Sequence, residues 1–147
     1  MSTGAEAAIA RHCIAVQLRL LNRVVTKLYD DALRPLGLKV SQLNILVATA
    51  KFGLARPAAV CDLLQLDTST LSRNLERMRA RGWVEIVPGA DSRTQPFRLT
   101  PQGARLLERA FPAWESAQRQ AAQVLGDDGQ LLLHSLGRKL RSRKAGG

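Results

Sequence analysis

The chain has 147 residues, 46% of them hydrophobic and only 4% aromatic, so it can build one helical domain whose core is mostly Leu, Val and Ala. Its 22 Lys and Arg against 12 Asp and Glu leave a net charge of +10, which favours an anionic partner, nucleic acid first and an anionic membrane surface second. It lacks a run of about 18 apolar residues, which argues against a membrane-spanning helix, and Cys13 and Cys61 form no CxxC pair, which argues against a disulfide framework or a structural zinc site.

In chain order, the opening MSTGAEAAIARHC has no basic region followed by an apolar stretch, so no secretory signal is read and a cytoplasmic setting is expected. Ala7 to Leu33 reads as one long helix with two apolar faces. Cys13, Val16, Leu20, Val24 and Leu28 follow one face, and Ile14, Leu18, Leu21, Val25 and Ala32 follow the other. Two such faces in a small chain call for burial on two sides, one of them by a partner subunit. Arg34-Pro35-Leu36-Gly37 turns the chain. Ser41 is expected to cap a helix from Gln42 to about Phe52, with Leu43, Leu46, Val47 and Ala50 inward. Gly53 breaks it, and Pro57 opens a third helix to about Leu64.

The next stretch carries the chemistry. Asp67 is a good N-cap, and the helix that follows places Leu71, Leu75 and Met78 on one stripe. At about 100° per residue, Ser69, Arg73, Glu76 and Ala80 fall opposite, flanked by Thr70, Ser72, Asn74 and Arg77. Hydroxyls, an amide and arginines on one face suit phosphates and base edges. Gly82 ends the helix, with Arg79 and Arg81 complementing its dipole. Trp83 to Val87 is rich in strand formers, Asp91 to Pro96 is a polar turn, and Phe97-Arg98-Leu99 is the return strand. Thr100-Pro101 opens another helix, expected over Gln102 to Leu125 with a kink or break at Pro112. Gly126 to Gly129 is a turn, and Leu131, Leu132, Leu133, Leu136 and Leu140 mark a last amphipathic helix with a basic tail from Arg138 to Lys144.

Taken together, these residues resemble the multiple-antibiotic-resistance regulator (MarR) family. The resemblance is carried by Gly37-Leu38 through Ser41-Gln42, by Leu66 to Arg73, by Arg81-Gly82-Trp83-Val84, by Asp91-Ser92-Arg93, and by Leu99-Thr100-Pro101-Gln102-Gly103. It implies a mainly α (α+β) fold: a winged helix-turn-helix over residues 38–100, with residues 7–36 and 101–144 forming a helical dimerisation region. It implies a homodimer that reads a pseudo-palindromic operator in double-stranded DNA, with a recognition helix over about Thr68 to Arg81 in the major groove and a wing over about Pro88 to Pro96 at the minor groove. DNA contacts are then expected from Thr68, Ser69, Thr70, Ser72, Arg73, Asn74, Arg77, Asp91 and Arg93. Arg73 and Arg77 can grip guanine or phosphate bidentately, and Arg93 is the natural probe of a narrow minor groove. The family's wing motif is Asp-x-Arg, often with a further Arg between; here Ser92 holds that middle place. Glu76 either accepts from a cytosine amino group or pairs with Arg73 or Arg79.

Members of such a family commonly respond to phenolic or aromatic-acid ligands or to oxidants, so a repressor released by a small aromatic effector is expected. His12, Arg19, Arg23 and Trp114 are the residues able to line a carboxylate site. Cys13, early in the first helix beside Arg11 and His12, is the candidate for a thiol-based redox alternative, whereas Cys61 reads as a small core residue. A non-specific nucleic-acid architectural protein is the other alternative. HExxH, GxSxG and phosphate-binding glycine loops are absent from the sequence, and its only histidines are His12 and His134, so an enzyme is not expected and no cofactor is implied.

Overall fold

The computed structural model describes residues 3–88 and 95–146. The elements are α1 (Gly4–His12), α2 (Ile14–Leu33), a 3-10 turn (Arg34–Leu36), α3 (Val40–Phe52), α4 (Pro57–Leu64), α5 (Thr68–Ala80), β1 (Val84–Ile86), β2 (Phe97–Leu99) and α6 (Pro101–Ala145). Helices α3, α4 and α5 with the β1–β2 hairpin form a winged helix-turn-helix around one core, and α2 and α6 pack along each other beside it. This is the mainly α architecture expected.

The expected single N-terminal helix is in fact two. Cys13 takes an extended backbone (φ −68, ψ 108) between α1 and α2. The helical ladder runs up to it, with the Cys13 N–H donating to Ile9 O at 3.0 Å, and away from it, with Gln17 N–H donating to Cys13 O at 3.2 Å. One residue leaves helical geometry, and neither Gly nor Pro marks the place, so apolar periodicity runs through it unbroken. Burial along α2 does not divide between the two expected faces, since each face has exposed and partly buried members. Leu21, Val25, Leu28 and Ala32 are partly buried, whereas Ile14, Val16, Leu18, Leu20 and Val24 stay exposed, Leu20 at 60%.

Helix α3 begins earlier than Ser41 would set it, because its first free N–H is capped from another element. The Val40 N–H donates to an Asp30 carboxylate oxygen at 2.8 Å, and the Lys39 N–H donates to the Gln42 side chain at 3.1 Å. Leu43 and Leu46 are buried as expected, with Ile45, Ala48 and Thr49 beside them, while Val47 and Ala50 are exposed. Thr49 is tolerated inside because its hydroxyl donates to Ile45 O at 2.6 Å.

Pro112 does not break α6; helical backbone continues through it, and both Glu108 and Pro112 face solvent, where water can take the carbonyl left without its donor. The interruption falls instead at Gly126 (φ 68, ψ 174), the start of the expected Gly126–Gly129 turn, after which the helix resumes at once. A positive φ at that point is open to glycine and costly for other residues.

The winged unit is tied to α6 at one junction. Leu99 pairs with Val84, and the next residue, Thr100, caps α6 through its hydroxyl, which accepts from Gly103 N–H at 3.0 Å and donates to Gly82 O at 2.5 Å. The Thr100 N–H donates to Trp83 O at 3.1 Å. Gly103 lies so close to the Trp83 carbonyl that an added Cβ would sit 2.0 Å from its oxygen. Gly103→Ala should therefore cost about 3 kcal/mol of stability, the high end for overpacking, because the obstacle is backbone. Thr100→Val should cost roughly 1–2 kcal/mol, the loss of a cap. Urea denaturation of both variants at one fixed protein concentration checks this; wild-type midpoints would refute the junction's role.

Candidate nucleic-acid interface

The candidate interface is built on α5. Its N-terminus is closed by Asp67, whose Oδ1 accepts from the Thr70 backbone N–H at 2.7 Å and from the Ser69 hydroxyl at 2.8 Å. Those hydrogen bonds, the Thr70 N–H foremost and then the Ser69 hydroxyl, hold the carboxyl at a pKa of about 2, well below its ordinary 3.8. Leu71 and Met78 are buried and Leu75 half-buried, as the stripe required. The helix is thus held by one apolar face and a charged cap, and the other face is left to solvent.

On that face Thr68, Ser69, Ser72, Arg73 and Arg77 are all exposed, together with Glu76. Among the described residues neither Arg73 nor Arg77 takes part in an ion pair, so both guanidinium groups present their full set of donors. Glu76 also makes no ion pair there, and the expected pairing with Arg73 or Arg79 is not formed. Thr70 and Asn74 are half-buried, and the Asn74 amide already donates to Thr70 O at 3.0 Å. The Ser69 hydroxyl is likewise engaged with Asp67, leaving it free chiefly as an acceptor.

Other arginines are spent on the fold. The Arg81 Nη1 donates to Gly37 O at 2.9 Å, and its guanidinium lies 4.5 Å from the centre of the Trp83 ring. Arg81 therefore ties the end of α5 to the turn after α2 instead of merely complementing the helix dipole. The positive φ of Gly37 (66) favours glycine there, and an added Cβ would displace the end of the Arg81 side chain, 2.4 Å away. Arg98 donates to Glu85 at 2.6 Å across the hairpin, where the two residues are register partners.

The hairpin continues beyond β1 and β2, with the Val87 N–H donating to Pro96 O at 2.7 Å, and Ala55 adds a third short strand residue by exchanging both backbone hydrogen bonds with Phe97, at 2.8 and 2.9 Å. Asp91 and Arg93, the expected wing contacts, lie outside the described residues. Between α5 and the hairpin runs an open groove of about 420 Å³ floored by Leu71, Leu75, Val84 and Phe97, with Glu76 and Arg79 on its rim. Arg79, absent from the expected contact set, is exposed beside this groove; its position one turn from Glu76 was the signal available in the sequence.

The expected effector residues do not converge. Arg19 and Arg23 share a shallow cleft of about 520 Å³ on the polar face of α2 with Asn22, Thr26, Lys27, Asp30, Asp31 and Arg34. His12 is exposed at the end of α1, and Trp114 is half-buried, packed on the core and stacked on Phe111 with ring centroids 5.7 Å apart. Lys27 and Arg34 both pair with Asp31 in that cleft. Cys13 occupies the N-cap position of α2 and is half-buried. Cys61 is half-buried in α4, where desolvation and then the Asp67 charge push its thiol pKa up, away from the reactive thiolate. No cluster of His, Cys, Asp and Glu among the described residues could hold a metal ion, and no helix there is long and apolar enough to cross a membrane.

Comparison with known proteins agrees with this geometry. The MarR family model matches residues 36–93. The multiple antibiotic resistance protein MarR of Salmonella typhimurium is 30% identical over 112 residues, covering 74% of this chain and 78% of that protein. Among solved structures, a mutant Escherichia coli MarR complexed with operator DNA superposes with a TM-score of 0.79 at 23% identity, covering 90% of this chain and 96% of that one. The Mycobacterium tuberculosis regulator MosR in complex with DNA gives 0.76 at 29% identity, over 89% and 98% of the two chains. Bordetella bronchiseptica BpsR, whose DNA binding is regulated by 6-hydroxynicotinic acid, gives 0.77 at 21% identity, over 88% and 93%. The chain belongs to the MarR family of winged helix-turn-helix transcription regulators.

Proposed function

We propose that this protein is a sequence-specific DNA-binding regulator that reads a pseudo-palindromic operator as a homodimer. The observation that carries the reading is the outer face of α5, where Thr68, Ser69, Ser72, Arg73 and Arg77 stand exposed on a helix fixed by its opposite side. Escherichia coli MarR and MosR, of the same fold, are each solved with DNA. Seated in a major groove, Arg73 and Arg77 can reach guanine edges or clamp phosphates, and the hydroxyls can bond phosphate oxygens. Asn74 and Thr70 then serve the helix more than the duplex.

Dimerisation is supported by the apolar surface the protomer leaves open. Val16, Leu18, Leu20 and Val24 on α2 and Leu131, Leu132, Leu133, Leu136 and Leu140 on α6 are each at least 43% exposed. Monomers seldom leave so much contiguous apolar surface in water. A second copy covering it places two α5 helices about one turn of DNA apart.

In this reading the regulator is a repressor released by a small aromatic acid, the class to which the BpsR ligand belongs. Arg19 and Arg23 are the residues placed to take a carboxylate, and Trp114 and His12 have no share in that cleft. Release by oxidation has one feature in its favour, the Cys13 position at the start of α2. Peroxide treatment that frees operator DNA from wild type but not from Cys13→Ser would select it over the ligand.

Three outcomes test the function. Arg73→Ala should lower operator affinity by about 5- to 150-fold, equivalent to roughly 1–3 kcal/mol, and relax preference at one base position; an unchanged gel-shift titration would contradict it. Sedimentation equilibrium should return twice the chain mass, and Leu20→Glu should shift it toward the monomer. The stabilisation from Asp67 should be complete above the carboxyl's unfolded value near 3.8 and disappear as pH falls through about 2. The stability gap between wild type and Asp67→Ala should therefore be constant from pH 7 down to about 4 and close toward pH 2; a gap that closes by pH 4 would mean the cap is not formed.

A further inference from the structure

We infer that the basic C-terminal end of α6 is a second DNA-contacting surface, which grips phosphates flanking the segment read by α5. This rests on the DNA-binding reading above. Arg138, Lys139, Arg141, Arg143 and Lys144 put five cations into seven residues, and no acidic residue follows Asp128. The run is helical and exposed. Its last cation reaches another element. The Lys144 ammonium donates to the Asp62 carboxylate at 2.8 Å and to the Asp62 backbone carbonyl at 3.0 Å.

The docking point gives the run its meaning. Asp62 lies in the last turn of α4, where carbonyls lack helical donors and the dipole favours a cation. The same carbonyl accepts from the Gln65 side chain at 2.6 Å, in the turn that leads to the Asp67 cap of α5. The end of α6 is thereby held against the helix-turn-helix itself, not against the α2 side of the molecule. Only Lys144 is consumed by the docking; among the described residues Arg138, Lys139, Arg141 and Arg143 form no ion pair.

Four unneutralised cations held beside the first helix of a helix-turn-helix have one fitting occupant, the polyanionic backbone of the duplex that α5 engages. They surround the helix end instead of forming a base-reading row, so their contribution is to affinity and not to sequence choice. Each phosphate neutralised releases counterions, and a dimer carries two such ends.

The test replaces Arg138, Lys139, Arg141 and Arg143 by Ala, leaving Lys144 and Leu140 in place, with circular dichroism and sedimentation confirming fold and assembly. Binding is titrated against an operator duplex and a random duplex over a salt series. The variant should bind both duplexes about tenfold or more weakly near 0.15 M salt, with the slope of log K against log[salt] shallower by about 2 or more and the ratio between the duplexes unchanged. A second variant, Arg138→Lys with Arg141→Lys and Arg143→Lys, should bind as wild type, since phosphate requires charge and not a particular cation. Wild-type affinity and slope in the Ala variant would overturn the inference while leaving the function of α5 standing. A loss confined to the operator duplex would overturn it too, as would unchanged DNA binding with lost sedimentation on phosphatidylglycerol vesicles. Wild type that prefers no duplex over any other would sink the operator reading, and wild type that binds no duplex at all would sink both.

Discussion

The close approach of α6 to the Trp83 carbonyl at Gly103 is the constraint on which the rest of the molecule depends. Within a few residues the end of α5, the first strand of the wing, the return strand and the start of α6 are locked together by the Thr100 hydroxyl, the Gly82 and Trp83 carbonyls and a contact that only glycine permits. Trp83 is buried on the other side of this knot, under the Arg81 guanidinium. The direction of α5, the position of the wing and the departure angle of α6 are therefore one quantity.

A second division follows from how the protein uses its cations. A surplus of positive charge is a general attraction to nucleic acid, and by itself it says nothing about where the duplex sits. The structure sorts it. Arg81 is committed to Gly37 and Trp83, Arg98 to Glu85, Lys27 and Arg34 to Asp31, and Lys144 to Asp62. Among the described residues Arg73 and Arg77 on α5 and the four cations before Lys144 form no ion pair, and neither do others spread over the chain, such as Arg19, Arg23, Arg56, Arg79, Arg105 and Arg109. Exposed pairs of the committed kind contribute little stability.

The sequence was legible where a local signal and a tertiary demand agree. Asp67 caps α5 because its side chain reaches the Thr70 N–H three residues on, and Pro57 and Pro101 open helices for equally local reasons. The stripe Leu71, Leu75, Met78 fixed the outward set of α5 in advance. The motif from Leu99 to Gly103 was recognisable before its cause, which is the 2.0 Å approach to Trp83. Legibility failed where the deciding atom belonged to another element. Asp30 on α2 accepts from the Val40 N–H, so α3 starts before Ser41, and its inward face holds Ala48 and Thr49 where Val47 and Ala50 were expected. Cys13 breaks the first helix with no side-chain signature, and Pro112 stays helical because that side of α6 is wet. The effector residues scattered for the same reason: Trp114 has the chemistry for an aromatic ligand but is drawn into packing with Phe111 and the core.

The apolar surfaces complete the logic that the Gly103 junction begins. Helix α2 packs on α6 within the protomer, yet Val16, Leu18, Leu20 and Val24 stay exposed. The leucines from Leu131 to Leu140 are in the same state on the far side of the Gly126 break. A helix that ran straight through Gly126 would carry those leucines away from the winged unit; the break instead sends the second half of α6 back until Lys144 meets Asp62. One turn residue thus sets both where the unsatisfied leucines present themselves and where the cationic end arrives. The exposed leucines and the cations share this last helical stretch, Leu140 standing between Lys139 and Arg141, so a partner that covered the leucines would also bear on where the charge sits.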